Sequence, residues 1–371
     1  MADKAGGRSD FLIAGHSVAP GTIAHIRIPV SHQVTGLEAS LALQIVHGRK
    51  DGPCVFVSAA IHGDEIIGTG IIQRLLQTVT ADTLSGTLIL APAVNIYGFM
   101  QHSRYLPDRR DLNRSFPGSS GGSLASQLAR CFLDHVIEPC SLGIDLHSAA
   151  VHRFNLPQIR IAAGDRKLVE LAMAFGAPII IESPLRGGSM RALAAERGTP
   201  MLLLEAGEAL RFDRFSLEVG TSGILRVLAH IGMLDLPDAL DTPRVPIRSN
   251  ASRWVRSPRG GVTHRLRKSG DAVLAGEELA RVTGLFGEEP QVVTSPIDGI
   301  VIGHATLPVV YQGDALFHIA EVDNPRDIGK RAGTVSEAIE ASEPRGPAAP
   351  MLDEDEVIEE AENAPGKPER G

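Results

Sequence analysis

Aromatic residues are scarce in this 371-residue chain, with one Trp and three Tyr. That leaves little material for a surface that stacks single-stranded bases. An excess of basic charge is also missing. The formal net charge of −8 argues against phosphate-backbone binding, so no nucleic-acid partner is expected. Much of the negative charge is local, because residues 352–371 hold eight acidic and two basic side chains. Three cysteines, Cys54, Cys131 and Cys140, are too few and too scattered for a disulfide framework and read as buried reduced thiols. No apolar run approaches the ~20 residues needed to span a bilayer. Met1 to Asp10 is polar and lacks the apolar core of a signal peptide. The expectation is a cytoplasmic protein without a membrane partner.

What is present is alternation of buried strands and helices. Ile23–Val30 and Ala39–His47 show partial period-two patterning and read as a strand pair. Cys54–Ala60 and Thr87–Ala93 are apolar runs suited to buried strands. Glu65–Val79 reads as a helix, with Ile66, Ile67, Ile71, Leu75 and Leu76 at helical spacing. Helices are also expected over Ser123–Glu138, Lys167–Phe175 and Ser189–Arg197, and strands over Leu142–Leu146, Ile159–Ala163, Pro178–Ile181 and Met201–Leu204. Such alternation implies an α/β domain with a mixed, largely parallel sheet.

The chemistry concentrates at the ends of these strands. His62-Gly63-Asp64-Glu65 follows one buried strand, and Asp145-Leu146-His147 closes another. Two histidines and a carboxylate form the ligand set of a catalytic zinc, three protein groups leaving a fourth position for water. The bland alternative for a lone His-x-x-Glu is a polar helix start favoured by the helix dipole. His147 shifts the balance, because Asp145 lies two residues before it on the same strand face and is placed to orient its ring. Glu205 follows the wholly apolar Met201-Leu202-Leu203-Leu204. Partial desolvation there raises a carboxylate toward the range of a general base, with Glu208 as the more exposed competitor. Strand ends of this kind are where open α/β sheets bind ligands. Ser103–Gly118 is dense in arginine, and Asn113-Arg114 beside Leu112 and Phe116 offers a planar fork for a carboxylate.

His-Gly-Asp-Glu, Arg-Tyr followed by Asp-Leu-Asn-Arg, Asp-Leu-His and the late Glu-Ala-Gly together resemble the succinylglutamate desuccinylase/aspartoacylase family of the zinc carboxypeptidase clan, over roughly residues 40–320. The resemblance implies a zinc-carboxypeptidase-like mixed sheet flanked by helices, with one Zn2+ per chain held by His62, Glu65 and His147. It implies Glu205 as the base, Arg104 as the group stabilising the oxyanion, and Asn113 and Arg114 as the holders of a substrate carboxylate. Extra residues between Arg104 and Asn113 leave Arg109 or Arg110 open for the oxyanion role. Arg191 is a weaker match to a second carboxylate-binding arginine.

Residues 1–22 are expected to be a flexible N-terminus and 23–235 the catalytic domain. Residues 236–251, rich in Pro and Asp, read as a linker, and 323–371 as a disordered acidic tail. Between them, 252–322 is a small β-rich domain. Its quasi-repeat (Gly270-Asp271-Ala272-Val273 and Gly313-Asp314-Ala315-Leu316) resembles the barrel-sandwich fold of biotinyl and lipoyl carriers. The hairpin Thr283–Pro290 has no lysine to carry a cofactor, so that function is rejected. The pattern leaves open whether this domain mediates a homo-oligomer or only caps the site. The function expected is zinc-dependent hydrolysis of the amide bond of an N-acyl amino acid or similar small metabolite bearing a carboxylate. A carboxypeptidase or peptide amidase of the same clan is the first alternative, and a non-enzymatic scaffold working through its acidic tail the second.

Overall fold

The computed structural model describes residues 8–32, 38–235 and 245–325. Residues 236–244 of the expected linker and the expected tail from 326 onward lie outside them. Ahead of the catalytic region, Phe11–Ile13 (β1) and His16–Val18 (β2) pair as an antiparallel hairpin turned through Ala14 and Gly15, both at positive φ. Part of the stretch expected to be flexible is therefore ordered into a hairpin, and Ile13 and Val18 reach the core.

Thr22–His32 (β3) and Glu38–His47 (β4) form the expected antiparallel pair, with β3 at the sheet edge. Lys50–Ala59 (β5) leads to helix Ile67–Thr78 (α1), then Ser85–Ala91 (β6) and the short helix Ile96–Met100 (α2). Leu124–Phe132 (α3) runs into a π turn, Leu133–Ile137, before Leu142–Ala149 (β7). Arg153–Ala162 (β8), Arg166–Phe175 (α4), Ile179–Ser183 (β9), Met190–Glu196 (α5) and Met201–Glu208 (β10) follow, and Arg214–His230 (α6) closes this part. Strands β6, β5, β7 and β10 are mutually parallel, and the flanking pairs β4–β6 and β8–β10 are antiparallel. One face of the sheet is covered by α1, α4 and α6, and α3 and α5 pack in a separate apolar cluster with β3 to β5.

Helix α6 is the element the patterning does not reveal. At Gly220 an added Cβ would come within 2.3 Å of Ile71 Cδ1, and at Gly223 within 2.2 Å of the Phe175 ring. Close approach of α6 to α1 and α4 requires glycine there, at the cost in helix propensity that glycine carries.

In the C-terminal part, Ile247–Ser249 (β11) lies inside the expected linker yet adds to β9 as a parallel strand. Ser252–Arg256 (β12), Gly261–Arg265 (β13), Ala272–Val273 (β14), Glu278–Thr283 (β15), Gln291–Thr294 (β16), Gly299–Ala305 (β17), Val309–Val310 (β18) and Ala315–Glu321 (β19) complete the fold. The repeat halves interlock, β14 pairing with β17 and β13 with β18. They do not stand apart from the α/β layer: β17 pairs with β8, so one thirteen-stranded sheet runs from the N-terminal region into the C-terminal one. The cysteines are less scattered in space than in sequence, with Cys54 Sγ 3.4 Å from Cys140 Sγ. Among the described residues, no helix is long and apolar enough to cross a membrane.

Candidate active site

The C-terminal ends of β5, β7 and β10 meet along one edge of the sheet, and the site is built there. Strand β5 stops at Ala59. Ala60 then takes a positive φ of 51°, an uncommon conformation for a residue with a Cβ. The chain turns sharply and places His62 and Glu65 ahead of α1. Gly63 makes the turn possible, since a Cβ there would lie 2.0 Å from the backbone carbon of Gly98. Helix α1 begins at Ile67, so both side chains belong to the turn rather than to the helix.

Glu65 bridges the two histidines. Its Oε1 is 2.7 Å from His62 Nδ1 and its Oε2 is 2.7 Å from His147 Nδ1. All three side chains are buried, and their ligating atoms lie within 4.8 Å of one another. Each outward nitrogen faces a carboxylate. His147 Nε2 is 2.8 Å from Asp145 Oδ2, and His62 Nε2 is 3.3 Å from Asp111 Oδ1. Both imidazoles therefore present Nδ1 to a common point and have a carboxylate behind Nε2, the arrangement that fixes tautomer and ring orientation in metal sites. Two nitrogens and a carboxylate, with no sulfur, suit zinc or a similar divalent ion. The residues present fit a metal.

Electrostatics bind this group together. Burial opposes protonation of His62 and His147, but the facing carboxylates outweigh it and raise both imidazoles above their ordinary range, His147 strongly. Burial opposes ionisation of Glu65 as well, and the two imidazoles overcome it and hold the carboxylate well below its usual range. Asp111 is depressed by His62 and Arg104 in the same way against its burial. Arg104 Nη1 is 3.2 Å from Glu65 Oε1 and Nη2 is 3.0 Å from Asp111 Oδ2, which fixes the guanidinium at the rim of the triad.

A cleft of about 330 Å3 opens over these groups and brings together seven residues the sequence singles out: His62, Glu65, Arg104, Asn113, Arg114, His147 and Glu205. Glu205 sits level with His147 on the neighbouring parallel strand. Desolvation raises its pKa, as expected for a carboxylate at an apolar strand end. Glu208 is tied into the structure by His152 N and Thr306 Oγ1 and lies outside the cleft lining. Asn113 belongs to the turn Leu112–Arg114, which Asp111 caps, and its Oδ1 accepts from Met190 N at 2.9 Å. That bond fastens the turn to the start of α5. Arg109 and Arg110 are exposed and do not line the cleft, so the alternatives to Arg104 are not supported by position. Arg191 does line it. Burial, with Arg160 nearby, lowers its guanidinium to about 10.

Several lining residues carry no local signal. Arg153, Asn155 and Arg160 lie on β8, and Trp254 and His318 come from β12 and β19. The two rings stack at 4.1 Å across paired strands. Burial, reinforced by Arg160, lowers the His318 imidazole to about 3.

Residues 51–231 match the succinylglutamate desuccinylase/aspartoacylase catalytic domain. The chain is 29% identical over 315 residues to the N-alpha-acetyl-L-2,4-diaminobutyric acid deacetylase of Halomonas elongata, spanning 80% of this chain and 90% of that one. Among solved structures, it resembles the product-bound ectoine utilization protein EutE (DoeB) of Ruegeria pomeroyi, with a TM-score of 0.72, 25% identity and coverage of 81% of this chain and 95% of that one. It also resembles a succinylglutamate desuccinylase/aspartoacylase from Rhodobacter sphaeroides, with a TM-score of 0.70, 26% identity and the same coverage of 81% and 95%. The histidine–glutamate turn, the second histidine and the carboxylates behind them all fall within the matched span, so it is residues 51–231 that match the catalytic domain of the succinylglutamate desuccinylase/aspartoacylase family.

Proposed function

We propose that this protein is a zinc-dependent deacylase that hydrolyses the amide bond of an N-acyl amino acid or similar small metabolite bearing a carboxylate. The observation that carries this is the convergence of His62, Glu65 and His147 on one point of a cleft that also holds Glu205. A zinc ion held by His62, Glu65 and His147, one per chain, would act as a Lewis acid on the water and the amide carbonyl. Glu205, with its raised pKa, accepts the proton of the attacking water and returns it to the departing amine. Arg104 is anchored beside the triad by Glu65 and Asp111, and its fixed positive charge is the group that would stabilise the oxyanion.

The cleft's charge defines the substrate. Arg104, Arg114, Arg153, Arg160, Arg186 and Arg191 line it against only two carboxylates, Glu65 and Glu205. Asn113 and Arg114 hold the substrate's carboxylate, Asn113 through the Nδ2 left over once its Oδ1 is bonded to Met190 N. A volume of about 330 Å3 suits a small molecule better than a polypeptide. The name of the Halomonas relative makes N-acetyl amino acids the first compounds to try.

The test is hydrolysis of a panel of N-acyl amino acids and short peptides by zinc-loaded protein, following free amine. Glu205→Gln is expected to abolish turnover with zinc content unchanged. Near-normal activity in that variant would remove Glu205 from the base role, and preference for peptides would favour a peptidase.

A further inference from the structure

We infer that Asn155 positions the carboxylate of Glu205 and that Gly303, from the C-terminal β-rich part, makes room for Asn155 to do so. This rests on the proposed role of Glu205 as the base. Asn155 Nδ2 donates to Glu205 Oε2 at 3.0 Å. The bond is diagonal. Glu205 pairs with Gln158 across the antiparallel β8–β10 ladder, while Asn155 pairs with Gly207, and the register shifts between the two positions. Asn155 therefore reaches back over a neighbour that has no side chain. An amide donor aimed at one carboxylate oxygen holds the plane of the base in a single orientation, and alignment of a proton acceptor to better than 1 Å governs its efficiency.

On its other side Asn155 pairs with Gly303 of β17. A Cβ built on Gly303 would lie 2.9 Å from Asn155 Oδ1, and its next neighbours, His318 Cβ and Phe154 O, are at 3.5 Å. The one tight contact is thus the tip of the Asn155 side chain, and the backbone at Gly303 is not in the left-handed region. Alanine there is compatible with the fold but pushes against Asn155. Strand β17 of the C-terminal part accordingly sets the geometry of a base carried by the α/β part, a role beyond capping the cleft.

The experiment compares Asn155→Ala, Gly303→Ala and the double variant with wild type in the full-length zinc-loaded protein. It measures kcat, KM, zinc content and thermal unfolding. Losing a hydrogen bond to a charged group is expected to lower kcat about ten- to a hundred-fold in Asn155→Ala, with KM, zinc and the unfolding midpoint near wild type. Gly303→Ala is expected to lower kcat in the same sense. The double variant should be no worse than Asn155→Ala within about two-fold, because Gly303 acts through Asn155. The inference is overturned if Asn155→Ala keeps kcat within about two-fold of wild type, if its effect falls on KM alone, or if the two losses multiply. Glu205→Gln separates the levels. If it stays active, the base assignment has failed; if it is dead while Asn155→Ala is normal, only the positioning has failed.

Discussion

Asp145 offers the most stringent check on the proposed metal site, because it lies within the buried strand β7 and faces two buried partners, Ser58 and His147. It has no solvent exposure, accepts from Ser58 Oγ at 2.7 Å and faces His147 Nε2 at 2.8 Å. Asp145→Ala leaves both donors buried and unpaired, at about 1–3 kcal/mol each. It also removes the group that orients His147, a loss that typically costs about 10–100-fold in metal affinity. Relief from burying a carboxylate offsets part of this, so the expected loss of stability is roughly 2–5 kcal/mol. Asp145→Asn separates shape from charge. Its amide oxygen can still face His147, and Ser58 Oγ can accept from the new NH2 and turn its own proton toward Met190 Sδ at 4.0 Å. The Asn variant should therefore fold nearly as wild type and lose affinity at the lower end, about ten-fold. Zinc competition against a chromogenic chelator at fixed pH, together with thermal melts of metal-free and loaded protein, measures both quantities. If the folded alanine variant binds zinc as tightly as wild type, Asp145 does not orient His147 and the proposed ligand geometry is wrong.

Other consequences can be measured with the same material. Gly63→Ala forces a Cβ to within 2.0 Å of the Gly98 backbone; it should lower the melting temperature, costing about 1–3 kcal/mol by overpacking, and weaken zinc binding more than ten-fold, as read by the chelator assay. Arg109→Ala and Arg110→Ala should leave kcat/KM within about two-fold of wild type, whereas Arg104→Ala should reduce kcat about a hundred-fold or more; steady-state kinetics distinguishes them. His304 and His318 are both lowered by burial from 6.5 to about 3. The unfolded chain takes up these protons below pH 6.5 and the folded protein does not, so their contribution to stability is complete above pH 6.5 and is lost as pH falls toward 3. Denaturant midpoints measured from pH 7 down to 4 should fall accordingly, and NMR of the two imidazoles should show no titration between about pH 5 and 8.

The His62, Glu65 and His147 cluster, which could hold a metal ion, was legible because each residue is announced locally. His-Gly-Asp-Glu lies in the turn that directly follows buried strand β5, and Asp145-Leu146-His147 lies on buried strand β7, so each motif is tied to a strand visible in the sequence. The same holds for Glu205 after Met201–Leu204, which sits level with His147 in the parallel register. The arginine-rich loop was visible as composition, but which arginine faces the triad was not. Arg104 and Arg109 differ by five positions in one irregular segment, and only the folded path takes Arg104 to Glu65 while leaving Arg109 in solvent.

By itself, then, the chain's local pattern determined the α/β core and which histidines and carboxylates stand at its strand ends, since periodicity and strand ends record what a residue does with its immediate neighbours. Tertiary structure decided what depends on partners distant in sequence. It set Asp111 behind His62, Asn155 against Glu205, and Gly303 beside Asn155 across 148 residues of chain. It packed α6 onto α1 and α4 through two glycines, and it carried the sheet on into the C-terminal strands. Lateral pairing and close backbone approach leave no periodic trace along the chain, because the space they require is set by the opposing element.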